Sequence, residues 1–337
     1  MFAKRLSAAV AASICFAMPA MADKLDEIKD RGVLKCGIHP GKAGFATPDA
    51  EGTWQGFDVD YCRALAAAVL GDATKVEFST MSSKNRLTAL VTDEIDVLSR
   101  TTTFTATRDM RNGVDVTTPW FYDGQGFLVK KALGVSSAAD LSGATVCTYP
   151  GTTSERNVND FFETNGMTYK ALIIEGSAEA KTAYLAGRCD VITNDRSALA
   201  ATRLGMSDAD AHILLPDVIS KEPLGPYVKA GEGRWRDVAA WTAMALIAAE
   251  EMGVTKANAA SMAETGGPGI KRLLGSEGSI GEGLGLETGW ARAAIEAVGN
   301  YGELFDHHLG ANSPLAFERG LNAQWNVGGL LYAYPFR

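Results

Sequence analysis

The chain has 337 residues, and its 40 acidic against 32 basic side chains give a net charge of −8 at pH 7. This length suits one large or two medium-sized domains. The acidic balance argues against nucleic-acid binding and against a polybasic membrane-binding patch, so we expect neither partner.

The first 22 residues have the three parts of a secretory signal peptide. Lys4 and Arg5 precede an apolar stretch from Leu6 to Met18, and the small-x-small motif Ala20-Met21-Ala22 follows. We therefore predict cleavage before Asp23 and export of the chain. The apolar stretch is shorter than the roughly 20 residues that span a bilayer. No later segment resembles it, so the mature chain is expected to have no membrane span.

Four of the five cysteines lie after the predicted signal peptide, at Cys36, Cys62, Cys147 and Cys189. An even number of cysteines in an exported chain predicts disulfides, and the sequence alone allows three pairings. A zinc site is disfavoured because no Cys-x-x-Cys pair occurs and no histidine lies at the right spacing. We therefore expect disulfides and no metal site.

Short β-like runs alternate with amphipathic helical stretches from Val33 to about Leu215, which predicts α/β lobes with mainly parallel sheets. The predicted strands are Val33–Ile38, Lys75–Ser79, Asp96–Ser99, Gly126–Lys130, Ala144–Thr148, Tyr169–Ile174, Val191–Thr193 and His212–Leu215. The predicted helices are Val59–Leu70, Asn85–Val91, Ser154–Asn165, Ala178–Ala186 and Arg196–Arg203. From Arg234 onward the pattern is mostly helical, with a glycine-rich loop over residues 266–289 and a further helix over 290–298.

The segment Gly56–Ala66, which reads GFDVDYCRALA, follows the first strand and a loop rich in glycine, proline and aspartate. Locally it is typical of a helix entrance. Asp58 and Asp60 lie where the helix dipole favours carboxylates, and apolar residues from Leu65 to Leu70 supply a buried face. The segment closely resembles the signature of family 3 bacterial extracellular solute-binding proteins. These proteins capture polar amino acids and deliver them to ATP-driven importers.

The resemblance implies a two-lobed periplasmic binding protein of type II, in which the chain crosses between lobes twice. Residues 1–22 would be the signal peptide, 23–125 the first part of lobe one, 126–225 lobe two, and 226–337 the return to lobe one with a C-terminal helical extension. Sequence order then favours the pairs Cys36–Cys62 and Cys147–Cys189, each within one lobe. The implied partners are an L-amino acid and the permease subunits of an ABC importer. The implied protein is a periplasmic monomer without a cofactor.

Binding an amino acid requires one anchor for the α-carboxylate and another for the α-ammonium. The run Asp96–Arg108 leaves a buried-looking strand and enters a hydroxyl-rich turn that ends in arginine. In the resembled family the arginine at this position grips the α-carboxylate. That role falls here on Arg108, with Thr101 and Thr103 as hydrogen-bonding partners. The alternative is that Arg108 is an ordinary surface cation and the threonines form a simple loop.

Two further strand-to-helix junctions carry candidate ligand contacts. Thr152 and Glu155 have the spacing of a capping box, which satisfies a helix N-terminus without any ligand. The resemblance adds a ligand contact at Thr153 in the same loop. At the next junction it assigns the α-ammonium to Asp195, which could otherwise be a simple helix cap. Asp190 is a competing carboxylate, but its place at the start of a strand puts it at the opposite end of the sheet.

Specificity for the ligand's side chain rests on two loops. The loop Met81–Arg86 resembles the Ser-x-x-Arg loop of acidic amino-acid binders, which assigns a side-chain carboxylate or amide to Arg86 and Ser83. His39 stands where a strict glutamate/aspartate binder has an arginine, which argues against a purely acidic preference. His39 is a further candidate ligand contact, with the alternative that it is structural, as a lone histidine more often is. The stretch Glu318–Tyr332 resembles the ending of general L-amino-acid binders of wide specificity.

An enzyme on the same scaffold is the main alternative. An exported dehydratase of prephenate-like acids would need a general acid near the leaving hydroxyl. Glu155 and Glu175 are available, but each has a structural explanation, as a cap and as a loop residue. No nucleophile–base pair, metal cluster or nucleotide-phosphate loop is evident, so no catalytic residue is predicted. A sensor domain is less consistent with the sequence, because such sensors are normally tethered to a membrane.

Overall fold

The computed structural model describes residues 23–337, so the predicted signal peptide lies outside the described residues. The strands are β1 (Leu34–Ile38), β2 (Thr47–Pro48), β3 (Trp54–Gln55), β4 (Val76–Thr80), β5 (Val97–Thr103), β6 (Val114–Val116), β7 (Phe121–Asp123), β8 (Gln125–Lys130), β9 (Thr145–Thr148), β10 (Lys170–Ile173), β11 (Val191–Asp195), β12 (His212–Leu214) and β13 (Glu222–Lys229). The α-helices are α1 (Lys24–Arg31), α2 (Phe57–Leu70), α3 (Arg86–Val91), α4 (Ala106–Arg111), α5 (Thr153–Thr164), α6 (Ser177–Leu185), α7 (Arg196–Leu204), α8 (Gly233–Glu251), α9 (Ala259–Thr265), α10 (Pro268–Leu274), α11 (Ile280–Leu284), α12 (Trp290–Val298) and α13 (Tyr301–His308).

Two main sheets confirm the predicted two-lobed α/β fold. The first sheet has the order β4-β1-β5-β13-β6, with β7 also paired to β13, and the second has the order β10-β9-β11-β8-β12. Each sheet is mainly parallel, as predicted, and is mixed only because one of its strands runs opposite to the others. The strands β1, β4 and β5 are parallel, as are β9, β10 and β11, whereas β8 and β13 run antiparallel to their neighbours. Both antiparallel strands follow directly after the chain has crossed from the other sheet.

The chain crosses between the sheets at Gly124 and again between β12 and β13. The two crossings lie side by side, because the last residue of β7, Asp123, pairs with the first residue of β13, Glu222. A Cβ atom on Gly124 would lie 2.3 Å from the Val218 side chain and 3.0 Å from the Ser220 carbonyl oxygen. Glycine at this position therefore lets the two crossing segments pack closely.

Alternate residues of β8 supply the two apolar faces of the second sheet. Phe127 and Val129 pack in a core with Phe162 of α5. Leu128 points to the opposite face and packs in a core with Leu199 of α7. This period of two is what a strand covered by helices on both sides requires.

The C-terminal helices complete the core of the first lobe. Phe57 of α2 stacks on Trp120 with ring centroids 4.8 Å apart, and Tyr301 of α13 packs edge-on against Trp120 at 4.9 Å. The Tyr301 hydroxyl donates to the Trp120 carbonyl at 3.0 Å. Asn322 exchanges two hydrogen bonds with the backbone of Tyr122, at 2.7 and 3.0 Å. The extension therefore braces the strand that leads into the first crossing.

Residues of the signature segment Gly56–Ala66 anchor α2 to the first sheet and to α13. Gly56 has φ of 138°, and a Cβ atom there would lie 2.2 Å from the Phe45 carbonyl oxygen, so the position requires glycine. The Asp58 carboxylate accepts the N–H of Thr101 at 3.0 Å, and Asp60 pairs with His308 at 2.6 Å. The two carboxylates of the signature thus bind α2 to the first sheet and to α13.

Both predicted disulfides are present. Cys36–Cys62 ties β1 to α2, and Cys147–Cys189 ties β9 to the turn before β11. The bridges close loops with sequence separations of 26 and 42 residues. By the chain-entropy argument each contributes about 3–4 kcal/mol to the free energy of unfolding.

The C-terminal region differs from the expected glycine-rich loop. The stretch predicted as loop contains α10 and α11, whereas α13 lies in the predicted helical extension but was not delimited as a separate helix. Pro268 occupies the first turn of α10 and Gly275 ends it in a left-handed conformation, so these residues bound a short helix here. No helix within residues 23–337 is both long and apolar enough to cross a membrane.

Candidate functional site

A cavity of about 600 Å³ is lined by residues from both lobes, beyond the carboxyl ends of the parallel strands. Seven of the eight predicted binding residues line it: His39, Ser83, Arg86, Thr101, Thr103, Thr153 and Asp195. The eighth, Arg108, is not among the lining residues. The strand-to-helix junctions that the sequence singled out therefore meet at one cavity.

Two buried guanidinium groups lie on the first-lobe wall. Arg100 donates from Nε to the Met81 carbonyl at 2.6 Å and from Nη2 to Ser83 Oγ at 3.2 Å. Arg86 donates from Nη1 to Thr102 Oγ1 at 3.2 Å, and its Nε has no partner among the described residues. A guanidinium has five N–H donors, so both groups keep donors for an anion. Burial lowers the pKa of Arg100 to about 10, which leaves it charged at neutral pH.

Lys42 and His39 extend this wall. The Lys42 ammonium is buried and lies 4.2 Å from the centroid of the Phe45 ring. Burial lowers its pKa, and the nearby carboxylates of Asp195 and Asp123 oppose that change. Burial and the charge of Arg100 hold the pKa of His39 well below its usual value, so the ring is neutral at pH 7. Its Nδ1 accepts the Gly41 N–H at 3.0 Å, which places the ring proton on Nε2.

The Arg108 side chain, which belongs to α4, lies next to Thr103 at the end of β5. That side chain is buried, and Nη1 donates to the Thr103 carbonyl at 2.7 Å. The Tyr227 hydroxyl donates to the same carbonyl at 2.7 Å. Burial lowers the pKa of Arg108, while Tyr227 and Glu222 act in the opposite direction. Thr103 thus stands next to both Arg108 and the cavity, and the assigned carboxylate contact of Arg108 stays a prediction.

The second-lobe wall carries a carboxylate that receives no hydrogen bond from any of residues 23–337. Asp195 is 7% exposed and precedes α7, yet it makes no capping hydrogen bond. Asp123 takes over the capping role, since it accepts the N–H of Ser197, the second residue of α7, at 3.2 Å. Burial, together with Asp123 and Glu222, raises the pKa of Asp195 to about 7, whereas Lys42 lowers it. A cationic ligand group beside Asp195 would therefore be strongly favoured.

In the loop before α5, Thr152 caps the helix, and both Thr152 and Thr153 line the cavity. Thr152 Oγ1 accepts the Glu155 N–H at 3.1 Å, and Glu155 accepts the Gly151 N–H at 2.9 Å. The predicted capping thus involves the side chains of Thr152 and Glu155. The Thr153 hydroxyl donates to Glu222 at 2.9 Å.

The charged groups around the cavity that sequence reasoning missed include Lys42, Arg100, Asp123 and Glu222. One signal for Arg100 was available, because a cation in a buried strand next to a hydroxyl-rich turn requires an explanation. Lys42 lies in a loop without a distinctive pattern. Asp123 and Glu222 approach the cavity only because the crossing strands pair, which the sequence did not reveal.

Comparisons with known proteins agree with this architecture. The sequence profile of the bacterial extracellular solute-binding proteins, family 3, matches residues 34–237. The general L-amino acid-binding periplasmic protein of Rhizobium johnstonii is 50% identical over 338 residues, which cover 99% of each chain. The glutamate/glutamine/aspartate/asparagine-binding protein of Rhodobacter capsulatus is 50% identical over 329 residues, or 97% of each chain.

A solved structure from Brucella ovis matches along nearly the whole length. It is a periplasmic binding protein from Brucella ovis with glutathione bound, which is 49% identical and has a TM-score of 0.91. The match covers 94% of this chain and 100% of that one. The C-terminal helices, which lie outside the family profile, are therefore matched in that protein as well.

Proposed function

This chain belongs to the bacterial extracellular solute-binding proteins of family 3, and we propose that it is the periplasmic component of an ABC importer for polar L-amino acids. The observation that carries the proposal is the buried Asp195 carboxylate, which receives no hydrogen bond from the described part of the chain and lies on the same cavity as Arg86 and Arg100. Opposite charges on one cavity match a zwitterion. The protein binds its ligand and does not transform it.

The proposed site has one anchor for the ligand's α-ammonium, one for its α-carboxylate, and a pocket for its side chain. Asp195 takes the ligand's α-ammonium. Arg108, with Thr101, holds the α-carboxylate once the ligand has entered. Arg86, Arg100 and Ser83 take a side-chain carboxylate or amide, because they keep free N–H and O–H donors at one end of the cavity.

The lobes would close on the ligand and present a joint surface to the permease. We propose that lobe one comprises residues 23–125 and 226–337 and that lobe two comprises 126–225. The 45–50% identical relatives are named as amino-acid-binding proteins, and two of these names specify a periplasmic protein or an ABC transporter, which supports a periplasmic location after cleavage of residues 1–22. We expect the mature protein to act as a monomer.

A γ-glutamyl peptide such as glutathione is a second candidate ligand. The cavity continues past Asp195 along residues 174–181 and 198–205, and its volume lies in the range of sites that hold drug-sized molecules. The glutamyl part would fill the amino-acid site, and the remainder would lie along Ser177 and Thr202. The glutathione bound to the Brucella ovis protein supports this candidate.

The enzyme alternative gains no support. Glu155 is occupied as a helix cap, and within residues 23–337 no cluster of three or more His, Cys, Asp or Glu side chains could hold a metal. Glu175 lies on the cavity wall, and its side chain has no hydrogen-bond or ion-pair partner among residues 23–337.

Competition calorimetry on ligand-stripped protein tests the proposed specificity. We expect glutamate or glutamine to bind more tightly than lysine and arginine, because the side-chain end of the cavity carries cations. Glutathione is titrated in the same series. Tighter binding of lysine or arginine than of both glutamate and glutamine would refute the proposed pocket.

Affinity should depend on pH through Asp195. Its pKa is about 7 before the ligand binds, and a neighbouring ammonium lowers that pKa, so binding below pH 7 releases a proton. The dissociation constant should rise about tenfold between pH 8 and pH 6, since one proton must leave a group with a pKa near 7. Calorimetry at both pH values measures this change. Equal or tighter binding at pH 6 would show that Asp195 is not the ammonium anchor.

A further inference from the structure

Asn322, in the C-terminal extension, holds the strand that leads into the first crossing between the lobes. It is 5% exposed. Its Oδ1 accepts the Tyr122 N–H at 2.7 Å, and its Nδ2 donates to the Tyr122 carbonyl at 3.0 Å. Both backbone groups of Tyr122 are thus paired with one side chain that lies 200 residues later in the chain.

The Tyr122 backbone needs these partners because of the residue opposite it. Among the described strands β7 pairs only with β13, in which Tyr122 faces Pro223. Proline has no N–H, and the Pro223 carbonyl already accepts the Phe104 N–H at 2.8 Å. Tyr122 is half-buried, and backbone groups that lack both water and a partner cost free energy. The Asn322 carboxamide therefore acts in place of a neighbouring strand on β7.

Asn322 is itself fixed to two helices of the first lobe. Arg319 Nε donates to the Asn322 carbonyl at 2.9 Å. The Arg319 guanidinium pairs with both carboxylate oxygens of Glu250 in α8, at 2.9 and 3.0 Å. It also lies 4.8 Å from the centroid of the Phe305 ring in α13. A two-point arginine–carboxylate pair fixes orientation as well as distance, so the residue that holds Tyr122 is anchored in the core of this lobe.

The residue after Tyr122 connects the first crossing to the ligand site. The Asp123 carboxylate accepts the N–H of Ser197, in the first turn of α7, at 3.2 Å. Asp123 also lies close enough to Asp195 to raise the pKa of that carboxyl group. A displacement of Tyr122 would move Asp123, because one peptide bond joins them. The position of Tyr122 therefore affects the carboxylate proposed to bind the ligand's ammonium.

We propose that Asn322 is a positioning residue for ligand binding, which holds Tyr122 so that the first crossing bends only after that residue and Asp123 stays at the N-terminus of α7. This inference rests on the proposed function. Asn322 is not among the residues that line the cavity, so it acts through Tyr122 and Asp123. A crossing that bends at one place lets the lobes close in one arrangement. Looser bending lowers the fraction of binding-competent molecules and with it the apparent affinity.

Amide hydrogen exchange of the ligand-free protein tests the hold on Tyr122, and it does not depend on the proposed function. The test variant is Asn322→Leu, which removes the donor and the acceptor at nearly the same side-chain size. Exchange of the Tyr122 N–H should become about tenfold faster, because local opening no longer breaks its hydrogen bond, whereas the amides of α2 should be unaffected. Unchanged exchange at Tyr122 would overturn the proposed hold.

Asn300 provides a matched control. It is also 5% exposed, and its side chain likewise accepts one backbone N–H, from Glu303 at 2.9 Å, and donates to one backbone carbonyl, that of Val254 at 2.7 Å. These bonds cap α13 and do not involve the crossing segments. The control variant is therefore Asn300→Leu, which loses the same number of hydrogen bonds in the same lobe.

Calorimetry compares the affinities of the two variants for the preferred amino acid. Asn322→Leu should weaken binding about tenfold, and Asn300→Leu should weaken it less than about threefold. If a leucine variant fails to fold, Asn322→Asp and Asn300→Asp repeat the comparison. Each keeps the accepting oxygen and loses the donor, and only Asn322→Asp should weaken binding. Equal weakening at both positions, or none at Asn322, would overturn the positioning role.

The pH dependence of binding separates the placement of Asp123 from a general loss of stability. Asp123 and Glu222 raise the pKa of Asp195, whereas Lys42 and Arg86 lower it. When Asp123 moves away in the test variant, that pKa falls. The rise of the dissociation constant from pH 8 to pH 6 should then shrink from about tenfold to less than about fivefold. The control variant should keep the tenfold rise.

An undiminished tenfold rise in the test variant would overturn the link from Asn322 through Asp123 to the ligand site. Absence of amino-acid binding by the parent protein would instead refute the proposed function. The exchange measurement on ligand-free protein would still decide whether Asn322 holds Tyr122.

Discussion

Replacing Asp195 by asparagine is expected to weaken amino-acid binding by about a hundredfold or more. A charge-assisted hydrogen bond contributes about 1.5–3 kcal/mol, and its loss also leaves the ligand's ammonium unmatched in a buried site. Every 1.4 kcal/mol corresponds to a tenfold change in affinity. Asp195→Ala should have a similar effect. Isothermal titration of each purified variant with the preferred ligand measures the change.

The same substitution should make the ligand-free protein more stable. Burial raises the pKa of Asp195 to about 7, above its value in the unfolded chain, so the ionised carboxylate opposes folding. Asp195 does not lower the free energy of unfolding at pH values below its pKa in the unfolded chain. Above pH 7 it lowers that free energy by its full amount. Asp195→Asn should therefore raise the melting temperature at pH 8 and have little effect near pH 4. A variant that loses both binding and stability would indicate damage to the fold.

Asp190 provides the matched control for Asp195. It lies at the other end of the same strand, is exposed and accepts the Thr145 N–H at 2.8 Å. Asp190→Asn should change affinity less than threefold. Binding by well-folded Asp195→Ala protein within about threefold of the parent would place the ammonium anchor elsewhere.

Arg108 and Arg86 are expected to differ in which ligands they affect. Arg108→Met should weaken binding of every amino acid by about a hundredfold, because the α-carboxylate is common to all of them. Arg86→Met should weaken glutamate binding by a similar factor and leave alanine binding nearly unchanged. Titrations of both variants with glutamate, glutamine and alanine measure these effects.

The two arginines can be compared with an exposed one. Arg236 pairs with its neighbour Asp237 at 3.0 Å on the surface, so Arg236→Met should leave all three affinities unchanged. If Arg108→Met spares alanine, Arg108 does not hold the α-carboxylate. If Arg86→Met weakens alanine and glutamate equally, Arg86 acts on the common part of the ligand.

Much of the fold could be predicted because local signals agreed with it. Gly56 is required by a close backbone approach, and the alternation of strands and helices up to about residue 215 is a local pattern. The pairing of Cys36 with Cys62, and of Cys147 with Cys189, followed once each lobe was assigned its part of the chain. The candidate site lay at strand ends, where parallel α/β sheets place ligands.

The remaining features depend on contacts between distant parts of the chain. Asp123 caps α7 in place of Asp195, but the two residues meet only after the chain has crossed between lobes. Glu222 joins Thr103 to Thr153 for the same reason. The C-terminal helices are short and interrupted by glycine, so their periodicity is weak. Their positions depend on packing against distant elements, since α12 and α13 pack on α2 and α11 packs on α8.

A thermal-shift screen of the twenty L-amino acids against ligand-stripped mature protein tests the central claim most directly. A ligand at a hundred times its dissociation constant adds roughly 2.7 kcal/mol to the free energy of unfolding. We predict that at least one of glutamate, glutamine, aspartate and asparagine raises the melting temperature of the parent protein and fails to do so in Asp195→Asn. If no amino acid stabilises the parent protein, the claim that it binds polar L-amino acids is contradicted.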